Sequence, residues 1–270
     1  MSVATPNPLA SPDPWNMVAP AYAAEILPLF ELFAGDALER ADLPPNPHIV
    51  DVATGPGTLA LLAAKRGAEV SAIDFSEQML AEFKSRLPRE LAPHIDLRQG
   101  DGQHLPFPDQ AFDAAFSMFG LFLFPDRLAG YRELRRVLKP GRRAIVTSWA
   151  PFEGPYAILM DAVRAHVPGI PFSPGQAPLG TPDDYHREMK EAGFSSVRVE
   201  TITHNRLSGS AEDFWAYVQR TNVTLLLLRK KIGEPEWTRL APAIFEKIQK
   251  ELGPGQISVP ARANLGVGVK

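Results

Sequence analysis

The run His48-Ile49-Val50-Asp51-Val52-Ala53-Thr54-Gly55-Pro56-Gly57 constrains this chain more than any other stretch. Ile49, Val50 and Val52 are β-formers, the short apolar run expected of a buried parallel strand. The run stops at Gly55-Pro56-Gly57. Thr58 then opens a helical pattern, Leu59 to Arg66, that Gly67 closes. Strand, glycine turn and helix therefore follow one another directly. The glycines allow positive φ and let a ligand touch bare backbone. The helix start offers unpaired N–H groups.

The rest of the chain repeats this logic. Glu69 to Asp74 reads as a second strand, followed by a helix to about Arg86 with Ser76 as N-cap. His94 to Arg98 is a third strand leading to Gly100-Asp101-Gly102. Ala111 to Met118 is a fourth. A helix from Asp126 to Leu138 breaks at Lys139-Pro140-Gly141, and Arg143 to Trp149 is a fifth strand. Strand–helix alternation predicts an α/β parallel sheet with helices on both faces, which binds ligands beyond the carboxyl ends of its strands. Upstream, Met1 to Pro14 reads as a flexible arm. A helix is expected over Ala21 to Ala34 and is interrupted at Gly35. Downstream, a weak helix spans Tyr156 to His166. Thr181-Pro182 caps a helix to Ala192, and Ser195 to Thr203 is a sixth strand. Ala211 to Leu252 is helical with a break at Gly233-Glu234-Pro235, and Gln256 to Val269 is a final strand whose start Pro260 weakens.

Composition narrows the function. The net charge of −3 gives no pull toward nucleic acid or an anionic membrane. The absence of cysteine excludes disulfides, thiol nucleophiles and thiolate metal sites, and is compatible with the cytosol. The arm lacks a signal-peptide pattern. The longest apolar run, Ala114 to Phe124, is far short of the ~20 residues of a membrane helix.

The stations Asp51 to Gly57, Asp74, Asp101, Phe112-Asp113-Ala114-Ala115-Phe116 and Leu138-Lys139-Pro140-Gly141, in that order, resemble a class I S-adenosylmethionine-dependent methyltransferase. The sub-type nearest by pattern is the small-molecule group that includes the ubiquinone-biosynthesis methyltransferases. The resemblance covers Trp15 to Trp149 and implies a Rossmann-like, seven-stranded, mostly parallel sheet with a largely helical lid. It divides the chain into an arm (1–14), N-terminal lid helices (15–47), a cofactor-binding core (48–150) with a continuation at 181–210, lid insertions at 151–180 and 211–254, and a last core strand at 255–270. It places Gly55 and Gly57 against the methionine part of the cofactor, Asp51 on its amino group and Asp74 on the ribose hydroxyls. Phe75 and Met79 flank adenine, and Asp101 accepts from its amino group. Ser117 and Met118 lie where sulfonium and acceptor meet. Tyr22, Ala53, Thr54, Gly100 and Gly102 complete the cofactor set. Where the family usually has glycine, this chain has Ala53.

On the acceptor side, Trp15, Phe119, Phe122, Trp149, Tyr156 and Trp215 are expected to line an apolar pocket for a small-molecule methyl acceptor. His104 and His166 are the candidate bases if the acceptor must lose a proton. No metal site, nucleic-acid partner or membrane partner is expected, and the protein is read as a cytoplasmic monomer or homodimer. Two other readings stand beside methylation at O, N or C. One is a protein of the same fold that binds S-adenosylmethionine without methylating, as a cyclisation catalyst or binding module. The other is a nicotinamide-dependent oxidoreductase, because Gly55-x-Gly57-x-x-Ala60 with Asp74 satisfies the dinucleotide fingerprint.

Overall fold

The computed structural model describes residues 7–167 and 178–270. The expectations for Met1 to Pro6 of the arm, and for 168–177 of the first insertion, lie outside the described residues. The chain divides into two compact units. The first comprises Met1–Ala150, Pro178–Ile202 and Ala263–Lys270, and the second Pro151–Ala177 and Thr203–Arg262.

The strands are β1 (His48–Val52), β2 (Glu69–Asp74), β3 (Ile95–Gln99), β4 (Phe112–Met118), β5 (Leu138–Trp149), β6 (Val197–Ser208) and β7 (Ile257–Val269). Among the described residues they form one seven-stranded sheet in the order β3-β2-β1-β4-β5-β7-β6. β1 pairs parallel with both β2 and β4, and β7 runs antiparallel to β5. The chain winds outward one way from β1 and the other way from β4. The crevice between their carboxyl ends is the switch point where such sheets bind ligands. Ile49, Val50 and Val52 are fully buried, because both faces of the sheet are covered.

Helices α1 (Pro12–Glu25), α2 (Leu27–Arg40), α3 (Thr58–Lys65), α4 (Glu77–Arg86) and α5 (Arg127–Val137) belong to the first unit, α6 (Pro155–His166) to the second and α7 (Pro182–Glu191) again to the first. One face of the sheet packs Ala37, Leu59 and Phe83, and the other packs Tyr131, Leu134, Tyr185 and Met189. The second unit has its own core. It is built on α6, α8 (Ala211–Thr221), α9 (Val223–Ile232) and α10 (Glu234–Leu252), with Phe214, Trp215, Val218, Ile244 and Ile248 inside. The carboxyl end of β6 and the amino end of β7 also belong to it.

Several boundaries differ from the sequence reading, among them the end of β6, at Ser208 rather than Thr203. Residues 7–14 of the expected arm are helical: a 3-10 turn at Pro8–Ala10, capped by the Asn7 side chain, leads into α1, and Leu9 is buried. The helix expected over Ala21 to Ala34 is two helices that meet at an angle of 85°. Pro28, in the first turn of α2, has no N–H to extend α1, so the break falls there. Gly35 lies inside α2, where glycine costs only about 1 kcal/mol. Lys139-Pro140-Gly141 lies within β5, with a register shift between Phe112 and Ala114. A further break in the 211–252 region falls at Asn222, whose side chain caps α9 by accepting from the Leu225 N–H at 3.0 Å. No single described helix is long and apolar enough to cross a membrane. The bent pair α1–α2 passes that test jointly by length and composition, but Val18, Phe33 and Ala37 are buried in the protein.

The junction of β7 with α7 is tightly specified. A Cβ at Gly266 would lie 2.3 Å from the Tyr185 ring. That ring cannot yield, because its buried hydroxyl lies 2.7 Å from Ser148 Oγ and 3.1 Å from the Asn264 carbonyl. Gly266→Ala is therefore expected to lower the unfolding free energy by about 1–3 kcal/mol in urea titration.

Candidate functional site

A cavity of about 250 Å³ opens in the first unit at the carboxyl ends of the strands. Its walls are the turn after β1 (Ala53 to Pro56), the turn after β2 (Asp74, Phe75), Gly100 to Gln103, and the turn after β4 (Met118 to Gly120). Leu9, Trp15, Tyr22 and Phe30 from the amino-terminal helices complete it.

The glycine turn has the backbone its sequence calls for. Ala53, Gly55 and Gly57 all hold positive φ, at 59°, 55° and 85°. A Cβ at Gly57 would lie 2.6 Å from the Phe83 ring, so only glycine fits there. The Gly55 N–H donates to Asp74 Oδ2 at 2.8 Å, and the Ser76 N–H donates to Asp74 Oδ1 at 2.9 Å. One carboxylate thus ties the turn after β1 to the turn after β2. Thr54 Oγ1 donates to Asp51 Oδ2 at 2.7 Å. The other oxygen, Asp51 Oδ1, is buried without a protein partner. Burial pushes the Asp51 carboxyl up to about 7; the Thr54 hydrogen bond and the Ala60 backbone N–H oppose the rise and the nearby Asp74 adds to it. Burial likewise raises Asp74 to about 6, against the Ser76 and Gly55 N–H groups.

Most of the expected cofactor residues meet at this cavity: Tyr22, Asp51, Ala53, Thr54, Gly55, Asp74, Phe75, Met79, Gly100, Asp101, Gly102 and Met118. Two do not line it. Gly57 sits behind the turn against Phe83. Ser117 is fully buried and accepts the Leu121 N–H at 3.0 Å, which secures the turn after β4. Asp101 is turned toward its own loop, accepting from the Gln103 backbone and side chain. Burial raises its carboxyl, but these bonds and His104 outweigh that and leave it lowered.

On the acceptor side, Trp15 and Phe119 line the cavity. Trp149 stands behind them, its ring 4.3 Å from Phe119 and 5.7 Å from Phe30. Phe122 packs among the core residues of one sheet face, because the 3-10 turn Leu121–Leu123 presents Leu123 and Phe124 to the cavity instead. Tyr156 and Trp215 belong to the second unit, where Tyr156 packs on Phe214 and Trp215 stacks on Trp237. Neither histidine lines the cavity. His104 projects into solvent, 85% exposed, beside Asp101. His166 Nδ1 lies 2.9 Å from the Ala162 carbonyl in the last turn of α6. Lys139 pairs with Asp113 Oδ1 at 2.9 Å, and Asp113 Oδ2 also accepts the His48 N–H, so this station fastens the amino ends of β1 and β4. Leu9, Phe30, Gln103 and Leu123 also line the cavity and were not expected there; Phe30 was legible only as part of a helical apolar stripe. Phe124, one of the aromatics after β4 expected near the acceptor, lines it as well.

A family model described as "Methyltransferase domain" matches residues 49–141. A demethylmenaquinone methyltransferase from Chlorobaculum parvum is 42% identical over 175 residues, covering 58% of this chain and 70% of its own. The chain belongs to the class I S-adenosylmethionine-dependent methyltransferases. A demethylmenaquinone methyltransferase from Corynebacterium kroppenstedtii is 41% identical over 112 residues, covering 42% of this chain and 46% of its own. The chain spans about half the length of the first curated relatives it matches. Among solved structures, the YcgJ protein of Bacillus subtilis shares the fold with a TM-score of 0.59 at 17% identity, covering 88% of this chain and 97% of that one.

The residues of the cavity fit S-adenosylmethionine. Asp51 Oδ1 is buried without a hydrogen-bond partner, and a ligand amino group would supply the missing donor. The Asp74 oxygens accept the Gly55 and Ser76 N–H groups, and their remaining acceptor capacity would suit ligand hydroxyls. Phe75 and Met79 add apolar surface for a flat base.

A buried carboxyl held above its unfolded value of 3.8 binds a proton that the unfolded chain has lost. Its contribution to stability is full below 3.8 and is lost as pH rises through about 7. Between pH 5 and pH 8 the ligand-free protein is expected to lose about 2–3 kcal/mol through Asp51, read from urea midpoints. Asp51→Asn removes that loss, and an equal loss in the variant contradicts the assignment.

Proposed function

We propose that this methyltransferase moves the methyl group of S-adenosylmethionine to a small, flat, apolar molecule by in-line displacement. The observation that carries the reading is a single cavity that combines two buried carboxylates with aromatic rings. Phe30 lies 4.6 Å from Phe119 and 5.6 Å from Tyr22, with Trp149 behind them. Such rings offer stacking faces worth about 0.5–1.5 kcal/mol per pair beyond the area they bury. The names of the two relatives point to a demethylated quinone as their acceptor, and a hydroquinone ring is the acceptor class that suits these walls.

The bound cofactor supplies a methyl group already activated on a sulfonium. The protein's share is alignment and exclusion of water. Asp51 and Asp74 hold Thr54 and Gly55, adjacent residues of the glycine turn, in one geometry, and Trp15, Phe30 and Phe119 make apolar wall. The proposed chemistry uses neither His104 nor His166 as a base.

Incubation with S-adenosylmethionine and 1,4-naphthohydroquinone tests the reading. Release of S-adenosylhomocysteine in step with a methylated ring product is expected. Tight cofactor binding with no S-adenosylhomocysteine released from any of a panel of aromatic acceptors counts against methylation and favours the cyclisation or binding-module reading.

A further inference from the structure

Two residues on the cavity wall other than glycine hold left-handed backbone: Ala53 at φ 59° and Phe119 at φ 57°. For a bulky aromatic this conformation is a genuine outlier, and it persists only where the surroundings over-determine it. Ala53 follows β1 and Phe119 follows β4, so the two strained residues flank the switch point.

They meet through Gly120. A Cβ there would lie 2.3 Å from Ala53 Cβ and 3.2 Å from Ser117 Oγ. Gly120 must be bare because Ala53 already fills the space. The turn after β4 therefore rests directly on the turn that holds the cofactor, with no slack between them. The same turn is pinned from the other side. Thr147 of β5, fully buried, accepts the Phe119 N–H on Oγ1 at 2.9 Å. The Phe119 ring then lies against Phe30, Phe33 and Trp149.

We infer that Thr147 is a positioning residue: it clamps the Met118–Gly120 turn onto Ala53, so that cofactor binding at the glycine turn orders the Phe119 wall against which the acceptor stacks. The contact is a close-packed one, and a displacement of Ala53 is passed on rather than absorbed. Binding is then ordered, with the cofactor first. That last consequence rests on the proposed function, but the coupling itself is read without any acceptor.

The test is amide-resolved hydrogen exchange on the full chain with and without S-adenosylhomocysteine, in the wild type and in Thr147→Val, Thr147→Ser and Ala53→Gly. In the wild type the ligand is expected to slow exchange at 53–57 and also at Phe119 and Leu121. Thr147→Val keeps the shape and loses the acceptor oxygen. It should keep the slowing at 53–57 and lose about tenfold of it at Phe119, the scale of one hydrogen bond, and Thr147→Ser should restore it. Ala53→Gly, which removes the contact without touching Thr147, should also uncouple the two stretches. Slowing at 53–57 without slowing at Phe119 in the wild type overturns the coupling and leaves the cofactor assignment standing. So does unchanged coupling in both Thr147→Val and Ala53→Gly. No slowing at either stretch overturns both.

Discussion

The site depends on a buried carboxylate, Asp74, that binds two turns at once. Its oxygens take the Gly55 and Ser76 N–H groups, so the loops leaving β1 and β2 hold one position relative to each other. A buried carboxylate is costly unless hydrogen-bonded, and here backbone donors meet that need. Its neighbour Asp51 is satisfied on one oxygen only. The folded chain thus keeps a carboxylate oxygen without a partner on the wall of its cavity, open to a ligand donor.

The same turn anchors the amino-terminal helices. Ser76 Oγ caps α4 by accepting the Met79 N–H, and it donates to Asn16 Oδ1 of α1 at 2.7 Å. Asn16 Oδ1 also lies 3.3 Å from the Gln78 nitrogen. Trp15 Nε1 donates to the Leu9 carbonyl at 2.9 Å, which folds the preceding 3-10 turn back on α1. These bonds carry Leu9, Trp15 and Tyr22 onto the cavity. A segment that reads as a tail is therefore part of the wall, held by polar contacts to a helix N-terminus far along the chain.

Legibility in the sequence followed local physics. β1 and β2, the α4 cap at Ser76 and the α7 cap at Thr181 were readable because apolar runs, glycine and short polar side chains act on their own neighbourhood. The carboxylates were named through the family resemblance, and both line the cavity. Side-chain direction in irregular turns was not readable. Phe122 and Phe124 are two residues apart in an aromatic-rich turn, and only the 3-10 geometry decides which faces the cavity. Ser117 turns inward to hold the Leu121 N–H, and Trp215 follows the buried stripe of α8 into the second unit's core. Leu9 and Gln103 carried no periodicity at all.

The most direct measurement is calorimetric titration of the wild type and Asp74→Ala with S-adenosylhomocysteine and, in parallel, NADH. Micromolar binding of S-adenosylhomocysteine by the wild type is expected, weakened in the variant by the roughly 1.5–3 kcal/mol of charged hydrogen bonds, with no heat from NADH. Binding of NADH alone, or S-adenosylhomocysteine affinity unchanged by Asp74→Ala, would contradict the cavity's assignment.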